Sequence, residues 1–276
     1  MTAVVDGFTV LPGQELQAAT LLAERRLTGQ PGALLAEAQR PQSLEQAFAL
    51  QQQVAALISA QPGQAVAGWK CLLPTPGKWV VAPIYQQSVC HFPATSCPLW
   101  PSTVAASAGL ARVEPELALV LAADLPPRAT PYSACEVDAA VGTTHLALEL
   151  IQSRFLAQSG ADFFDQLADG LFNQGLYLGP AIESAAVLPY AEFTLSLIFA
   201  DGTVRQHQAV HPNQHARAGL YWLVNFLSAQ GIGLQAGQAV ITGSYAGVLD
   251  LPFAQQIQFV YGELGEFTLQ FVTQTS

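Results

Sequence analysis

The sequence predicts an α+β fold in which a helical N-terminal portion, residues 1–64, precedes a β-rich domain, residues 65–276. Apolar residues recur at helical spacing through the first sixty residues. From about residue 65 the chain consists of short runs of Val, Ile, Leu, Phe and Tyr that Pro and Gly interrupt, which is the pattern of strands. Helices followed by strands, rather than a strict alternation of the two, favour α+β.

The N-terminal portion is predicted to contain two helices. The first carries apolar residues at helical spacing before "TGQPG" ends it, namely Leu16, Ala19, Ala23 and Leu27. The second begins near Ser43, because "SLEQ" matches a capping box. Its expected buried stripe consists of Ala47, Leu50, Val54 and Ile58.

The β-rich domain shows six strand-like runs. They are "AVAGWKCLL", "VEPELALVLA", "THLALELI", "EFTLSLIFADG", "AVITGS" and "QIQFVYGELGEFTLQFV", the last being two strands joined by a glycine-bearing hairpin. Two helices are expected among them. One lies near 134–142, and one follows "HPNQ", where Pro212 suits the first helical position. The second helix presents one apolar face, formed by Ala216, Leu220, Leu223 and Leu227.

The composition indicates which binding partners and which cellular compartment to expect. The net charge is −10 and the ten Lys and Arg residues are scattered, so nucleic acid is not expected as a partner. Although 51% of the residues are apolar, no run reaches the roughly 18 that a membrane helix needs. We expect the apolar surface to be hidden in a homo-oligomer. The first ten residues lack a basic segment and contain Asp6, and the four cysteines form no CxxC pair, so we expect a cytoplasmic protein with reduced thiols.

Two carboxylates occur in the apolar run "RVEPELALVL". Glu114 and Glu116 alternate with Pro115, so in a strand they project from the same face. Because Pro115 cannot donate to a sheet ladder, we expect it at an edge, a bulge or a strand start. Like charges in an apolar segment are unfavourable unless something neutralises them.

Glu149 in "LALELIQSR" is a third carboxylate within an apolar run. Three such groups with few cations nearby favour a divalent cation, and oxygen ligands select Mg²⁺ or Mn²⁺. The alternative is that Glu114 and Glu116 face solvent, and that Glu149 pairs with Arg112 or Arg154.

Lys70 in "AGWKCLL" lies in another apolar run. A buried lysine must be paired or change its pKa, and beside a metal it could hold a substrate carboxylate or move a proton. The alternative is a lysine that extends to solvent from an edge strand.

Two further groups of titratable residues are interpreted structurally. His207, His211 and His215 fall at i, i+4 and i+8, a spacing that could place three zinc ligands on one helix face. Pro212 opposes a continuous helix there, so we favour the interpretation that His211 lies at a helix start. An acidic row around "FFDQLADG" is expected to form a solvated helix face. The alternative is that this segment lines the pocket of the site. Its members are Asp162, Asp165 and Asp169, opposite inward-facing Phe163, Phe164 and Leu167.

Five motifs together resemble a known family. "GWKCLL", "VEPELALVLAADLP", "LALELIQSRF", "HPNQHARAGLYWLV" and "GQAVITGSYAGVL" occur in the order and with the spacing of the 2-keto-4-pentenoate hydratase and 4-oxalocrotonate decarboxylase group. This group lies within the fumarylacetoacetate hydrolase superfamily. The resemblance runs from about residue 65 to the end of the chain.

The resemblance implies a mixed β-roll with an N-terminal helical cap, in an oligomer, with 65–276 as the catalytic domain. It also implies Mg²⁺ or Mn²⁺ on Glu114, Glu116 and Glu149, with Lys70 as the active-site lysine. Ser244 in "TGSYAG" falls in the substrate-side loop of the family, and we predict Arg154 as a second substrate-binding residue.

The chain departs from the family after Lys70. The family has a loop there with an acidic residue for acid/base chemistry, whereas residues 71–111 contain no Asp or Glu. The proton-transfer candidates in this stretch are Lys78, Tyr85 and His91.

We therefore predict a metal-dependent lyase that hydrates a 2-hydroxypenta-2,4-dienoate-like acid to a 4-hydroxy-2-oxo acid. The alternatives are a decarboxylase of a 4-oxalocrotonate-like 2-oxo diacid, or a diverged homologue with altered or lost catalysis. C–C bond hydrolysis ranks below these, because it needs a dedicated base and His91 has no acidic neighbour in the sequence.

Overall fold

A computed structural model describes residues 12–183, 192–213 and 215–274. Residues 1–11, which include Asp6, and Gln214 of the "HPNQ" motif lie outside the described residues. The described helices are α1 Pro12–Thr28, α2 Leu44–Ser59, α3 Ala134–Ala140, α4 Phe163–Ala168 and α5 Ala216–Ala229. None of these five is both long enough and apolar enough to cross a membrane.

Thirteen strands form two sheets in the described parts of the chain. The strands are β1 Val66–Thr75, β2 Lys78–Tyr85, β3 Val89–His91, β4 Ser96–Leu99, β5 Ala111–Leu121, β6 Val141–Ile151, β7 Asn173–Ala181, β8 Glu192–Phe199, β9 Val204–Val210, β10 Ala239–Ile241, β11 Leu249–Leu251, β12 Gln256–Tyr261 and β13 Glu266–Thr273. The larger sheet has the order β2-β1-β10-β5-β6-β7-β3, with β11 also on β5, and the smaller has the order β4-β13-β12-β8-β9. Both sheets are mixed, because β1 and β10 pair in parallel, as do β4 and β13.

The larger sheet curls, so that β2 approaches β7. Small and aliphatic side chains line one face of it, including Ala118, Ala147, Leu176 and Ile241. Directly paired residues share a face of a sheet. Lys70 pairs with Ile241, Glu116 with Ala147 and Glu149 with Leu176, so the predicted site residues lie on this inner face.

Two larger apolar cores surround the curled sheet. One collects α1, α2 and α5 against the outer face of β1, β2 and β5, and includes the edge-to-face pair Phe48 and Phe226. The other fills the space between the two sheets, around Phe259 and Phe271. Helices packed on mixed sheets confirm the α+β prediction. The division at residues 64 and 65 stays a prediction.

The two N-terminal helices differ in how well their sequences predicted the buried face. The four residues of the predicted α2 stripe are all buried, and Ser43 caps the helix by accepting from the Gln46 amide. In α1, however, Leu16 is 55% exposed and Leu27 is 40% exposed. The buried face is formed by Ala18, Ala19, Leu22 and Ala23. It therefore includes two of the four residues that the spacing singled out, Ala19 and Ala23.

Helix α5 starts later than predicted. It begins at Ala216, four residues after Pro212. The intervening turn is held by side chains: the ring Nδ1 of His211 accepts from the Asn213 amide over 3.1 Å, and Asn213 Oδ1 accepts from the Leu73 amide. These bonds stabilise a turn where the sequence favoured a helix start.

Pro115 lies inside a central strand, contrary to the expectation of an edge, bulge or strand start. Strand β5 pairs with β6 along its length, while on its other side β11 pairs with residues 111–113 and β10 with residues 118–120. Between those partners a loop approaches, and the Tyr245 amide donates to the Pro115 carbonyl over 2.9 Å. The proline therefore falls in a gap between two ladder partners, where its missing N–H leaves no broken ladder bond.

Candidate metal and catalytic site

The three predicted carboxylates meet on the inner face of the larger sheet. Glu114 and Glu149 are direct partners in the β5–β6 ladder, and Glu116 projects from the same face two residues along β5. One carboxylate oxygen from each residue lies within 4.8 Å of the others. Glu149 and Glu116 are buried. Because like charges directly opposite one another destabilise a ladder, this cluster requires a compensating cation.

Glu116 is held by the loop that follows β10. The Gly243 amide donates to Glu116 Oε2 over 2.7 Å. Gly243 has φ = 130°, and a Cβ at this position would lie 2.8 Å from both Leu72 and Pro212. Only glycine can therefore present this amide to the carboxylate.

Lys70 is the cation nearest the cluster. Its Nζ lies 2.7 Å from Glu149 Oε1 and donates to the Leu171 carbonyl over 3.1 Å. Strand β1 is an inner strand between β2 and β10, and Lys70 is only 9% exposed. The alternative of a lysine that extends to solvent from an edge strand is therefore wrong.

A strained turn places two polar groups beside Glu149. Leu171 and Phe172 have φ of 52° and 65°, a left-handed conformation that costs on the order of 1–3 kcal/mol for residues other than glycine. The turn aims the Leu171 carbonyl at Lys70. It also places the fully buried Asn173 so that its Nδ2 donates to Glu149 Oε1 over 2.9 Å. No local pattern in "LFNQG" distinguishes these residues, so sequence reasoning missed them.

The arginines proposed as partners of Glu149 lie elsewhere. Arg112 pairs with an aspartate of β11 over 3.0 Å. Arg154 is buried, with its Nε 2.8 Å from Asp169 and its Nη1 donating to the Asn173 carbonyl over 2.8 Å. The alternative pairing is therefore wrong. Arg154 supports the residue beside Glu149, and its direct contact with a substrate stays a prediction.

The acidic row of α4 is mostly buried, contrary to the prediction of a solvated face. Asp162 is exposed, but Asp165 is fully buried and Asp169 is 3% exposed. Arg40 Nε bonds Asp165 over 3.0 Å, and Arg154 bonds Asp169. The prediction failed because these arginines, distant in sequence, allow the carboxylates to be buried.

Ser244 follows Gly243 in the loop beside Glu116. Its hydroxyl donates to the Gly247 carbonyl over 3.0 Å and lies 3.4 Å from the Pro115 carbonyl. These bonds order the loop. Contact between Ser244 and a substrate stays a prediction.

The proton-transfer candidates that follow Lys70 lie on β2 and β3. Lys78 is exposed at the turn between β1 and β2, and His91 is exposed on β3. Tyr85 is buried, and burial raises its pKa to about 12. Within the described residues, no hydrogen bond joins any of the three to the glutamates.

Burial and mutual repulsion dominate the electrostatics. Burial and the charge of Glu149 raise the pKa of Glu114 to about 7. Burial, with Glu149 and Glu114, raises the pKa of Glu116 well above its ordinary value, although the Gly243 amide opposes this. For Lys70, burial lowers the pKa, but the charges of Glu149 and Glu114 outweigh it and raise the pKa. One ammonium thus faces three carboxylates.

The residues fit a hard divalent cation. Glu149 Oε2 and Asn173 Oδ1 are buried oxygen atoms without a hydrogen-bond partner. Buried polar atoms without a partner are rare in native proteins, and oxygen atoms of this kind are suited to bind a water molecule or an ion. Three carboxylates and neutral oxygens, without sulfur or imidazole, are ligands typical of Mg²⁺ or Mn²⁺.

The three histidines do not form a zinc site. His207 lies on β9, His215 occupies the N-cap position of α5, and His211 is buried, with its Nε2 3.3 Å from the Thr242 hydroxyl. Burial lowers the pKa of His211 to about 4. Its Nδ1 accepts the Asn213 amide, so protonation would also break that bond.

His211 should make the protein less stable in mild acid. The unfolded chain takes up a proton near the ordinary pKa of about 6.5, but the folded chain does so only near 4, so the free energy of unfolding falls as the pH drops between these values. Between pH 7 and pH 5, this effect should lower the free energy of unfolding of the wild type by about 2 kcal/mol. Urea denaturation should show that His211→Asn lacks this part of the decrease. His91→Asn, on an exposed strand, serves as the control. An unchanged pH dependence in His211→Asn would contradict this assignment.

The chain is similar in sequence to one characterised hydratase over part of its length. No model of a protein family matches the chain. The chain is 28% identical over 167 residues to 2-oxo-hept-4-ene-1,7-dioate hydratase of Escherichia coli, an alignment that covers 58% of this chain and 61% of that protein. The matched part is thus less than two thirds of the relative's length.

Two solved structures of 4-oxalocrotonate decarboxylase from Pseudomonas putida G7 share the fold. The complex with magnesium and adipate superposes with a TM-score of 0.76 and the complex with calcium and acetate with 0.72. Each is 16% identical, and each alignment covers 96% of this chain and 100% of the other. In sequence and in fold, the chain therefore resembles the hydratase and decarboxylase group of the fumarylacetoacetate hydrolase superfamily.

Proposed function

We propose that the protein is a metal-dependent lyase that hydrates a 2-hydroxypenta-2,4-dienoate-like acid to a 4-hydroxy-2-oxo acid. One observation carries the proposal: Glu149 lies directly opposite Glu114, with Glu116 on the same face and Lys70 as the only ion-pair partner among the described residues. A purely structural cluster would pair its buried carboxylates with cations or keep them protonated. Three carboxylates with one ammonium are instead suited to a divalent ion.

In this proposal, Glu114, Glu116 and Glu149 hold Mg²⁺ or Mn²⁺. Support comes from the shared fold, because the decarboxylase structure contains magnesium and adipate. When bound, such an ion supplies positive charge that binds a 2-oxo acid and stabilises its enolate. The buried surroundings strengthen this electrostatic effect.

The chain's own residues then position the substrate and handle protons. Lys70, held by Glu149 and the Leu171 carbonyl, presents its Nζ to the carboxylate or 2-oxygen of the substrate and can donate a proton there. Asn173 and the Gly243 amide orient the glutamates. The N-terminal helical cap stays part of the proposal, with α1 and α2 packed on the outer face of β1, β2 and β5.

Decarboxylation of a 4-oxalocrotonate-like diacid is the second candidate. The absence of Asp and Glu from residues 71–111 favours it, because the segment after Lys70 offers no carboxyl group to assist the addition of water. Loss of CO₂ uses the same enolate stabilisation without that step. A diverged homologue with altered or lost catalysis is the third outcome.

Turnover with added metal distinguishes these candidates. We expect the protein with Mg²⁺ or Mn²⁺ to consume 2-hydroxypenta-2,4-dienoate, seen as loss of the dienoate absorbance, and EDTA to abolish the reaction. Release of CO₂ from 4-oxalocrotonate without hydration would favour the decarboxylase. Metal binding without either reaction would indicate lost catalysis, and absence of metal binding would refute the proposal altogether.

A further inference from the structure

Two cysteines lie side by side where the edges of the two sheets meet. Cys90 is on β3, which ends the larger sheet, and Cys97 is on β4, which ends the smaller sheet. Cys90 Sγ donates to the Ser96 carbonyl over 3.4 Å, so it lies against the backbone that enters Cys97. The Cys97 thiol in turn donates a hydrogen bond to Cys90. The two thiols are therefore within reach of each other.

The pair lies on the opposite face of the larger sheet from the glutamates. Cys90 pairs with Tyr177 of β7, whose side chain belongs to the core between the two sheets, as does Cys97. The preceding residue of β7, Leu176, instead pairs with Glu149 on the inner face. Because successive strand residues point to opposite faces, the thiols point away from the candidate metal site.

The two thiols differ in their access to solvent. Cys90 is partly exposed, and the three residues that follow it, 91–93, are exposed. Cys97 is completely buried in the core between the sheets. A small reagent that arrives from solvent therefore reaches Cys90 before Cys97.

The hydrogen bond between the thiols also makes them chemically different. The bond from Cys97 outweighs burial and lowers the pKa of Cys90. The same bond, and then burial, raise the pKa of Cys97 well above its ordinary value. The thiolate is the form of cysteine that attacks an oxidant. Cys90 is thus suited to react first, while Cys97 keeps its proton.

We propose that Cys90 and Cys97 form a redox site, which a peroxide converts into a reversible disulfide that joins the edges of the two sheets. All four cysteines of the chain are free thiols in the structure, so this site starts in the reduced form. The inference does not depend on the proposed function, because neither thiol belongs to the carboxylate cluster.

The oxidation proceeds in two steps. In the first, the Cys90 thiolate attacks one oxygen of the peroxide: an S–O bond forms, the O–O bond breaks and the other oxygen leaves as hydroxide. In the second, the Cys97 sulfur attacks the sulfur of this sulfenic acid: the S–S bond forms, and the hydroxyl group leaves with the Cys97 proton as water. The two sulfur atoms together lose two electrons, which reduce the peroxide.

Trypsin isolates this pair for mass spectrometry. Cleavage after Lys78 and Arg112 gives a peptide, residues 79–112, that contains both cysteines of the pair and neither of the other two. The full chain is reduced, freed from reductant, treated with hydrogen peroxide and alkylated before digestion. We expect this peptide to lose two hydrogen atoms and to take up no alkyl group, and dithiothreitol to reverse both changes.

Cys135 is the internal control, because it is an exposed thiol on α3. If Cys90 is activated as proposed, the disulfide should form roughly tenfold faster than Cys135 is oxidised. The variant Cys135→Ala should form the disulfide at the wild-type rate.

Two further variants separate the roles within the pair. Cys97→Ala should stop at a sulfenic acid on Cys90, which dimedone captures, because no second thiol is present to displace it. Cys90→Ala should leave Cys97 unoxidised at the same peroxide concentration, because Cys97 is buried. If melting shows that Cys97→Ala does not fold, Cys97→Ser keeps the size of the side chain and must show the same capture at Cys90.

A pair that serves only for packing predicts different results. The proposal fails if residues 79–112 keep both thiols, or form the disulfide more slowly, at a peroxide concentration that oxidises Cys135. It also fails if dimedone labels Cys97 in Cys90→Ala as fast as it labels Cys90 in Cys97→Ala. None of these readouts requires metal or substrate, so such a failure leaves the proposed function intact.

Discussion

Replacing Glu149 with Gln is expected to weaken the binding of Mg²⁺ or Mn²⁺ by roughly 100-fold or more and to lower turnover at least as much. Glu149 is the fully buried carboxylate that joins the cluster to both Lys70 and Asn173. An amide has the same shape and can still accept both of those bonds, so the fold should persist. What disappears is one of the three negative charges that the metal requires.

Titration calorimetry of metal into EDTA-treated protein measures this effect, and the melting temperature reports on folding. Glu266→Gln is the matched control, because Glu266 is an exposed carboxylate on β13. It should bind metal as the wild type does. An unchanged metal affinity in a folded Glu149→Gln protein would refute the metal site.

Replacing Lys70 with Met is expected to lower kcat by roughly 10²- to 10⁴-fold while the protein still binds metal. Methionine keeps most of the apolar stem but removes the ammonium that contacts Glu149 and the Leu171 carbonyl. Since Glu149 then lacks its cation, the metal-free variant should also be less stable, by about 3–5 kcal/mol. Added metal should restore part of that loss.

Stopped assays of dienoate consumption, together with urea denaturation with and without Mn²⁺, measure both effects. Lys78→Met is the control, because Lys78 is the only other lysine of the chain and lies at an exposed turn. Lys70→Arg should not rescue kcat, because its bulky planar group does not fit the space of an ammonium. Wild-type kcat in Lys70→Met would remove Lys70 from the proposed mechanism.

Local sequence patterns predicted the structure correctly where the spacing of residues within one helix or strand determines which side chains share a face. The stripe of α2 and the final hairpin of β12 and β13 follow from helical and alternating spacing. Glu114 and Glu116 share a face because strand side chains alternate. Charged residues in apolar runs also pointed to Glu149 and Lys70, and the resemblance of the motifs then implied their roles.

Local patterns failed where contacts with residues distant in sequence determine whether a side chain is buried or where a strand lies in the sheet. Asp165 and Asp169 looked like solvated groups, but Arg40 and Arg154 allow their burial. In α1, Ala19 and Ala23 of the spaced residues are buried, whereas Leu16 and Leu27 are exposed. Pro115 occupies a central strand because the loop at Tyr245 leaves a gap in the ladder.

The sequence by itself determined the fold class, the three carboxylates, the lysine and the lack of an acidic residue between 71 and 111. The tertiary structure alone decided that Glu149 lies opposite Glu114 and pairs with Lys70, and that the 171–173 turn supports this pair. The reason is physical: alternation and helical period act over a few residues, whereas ion pairing and sheet curvature join residues that are far apart in the chain.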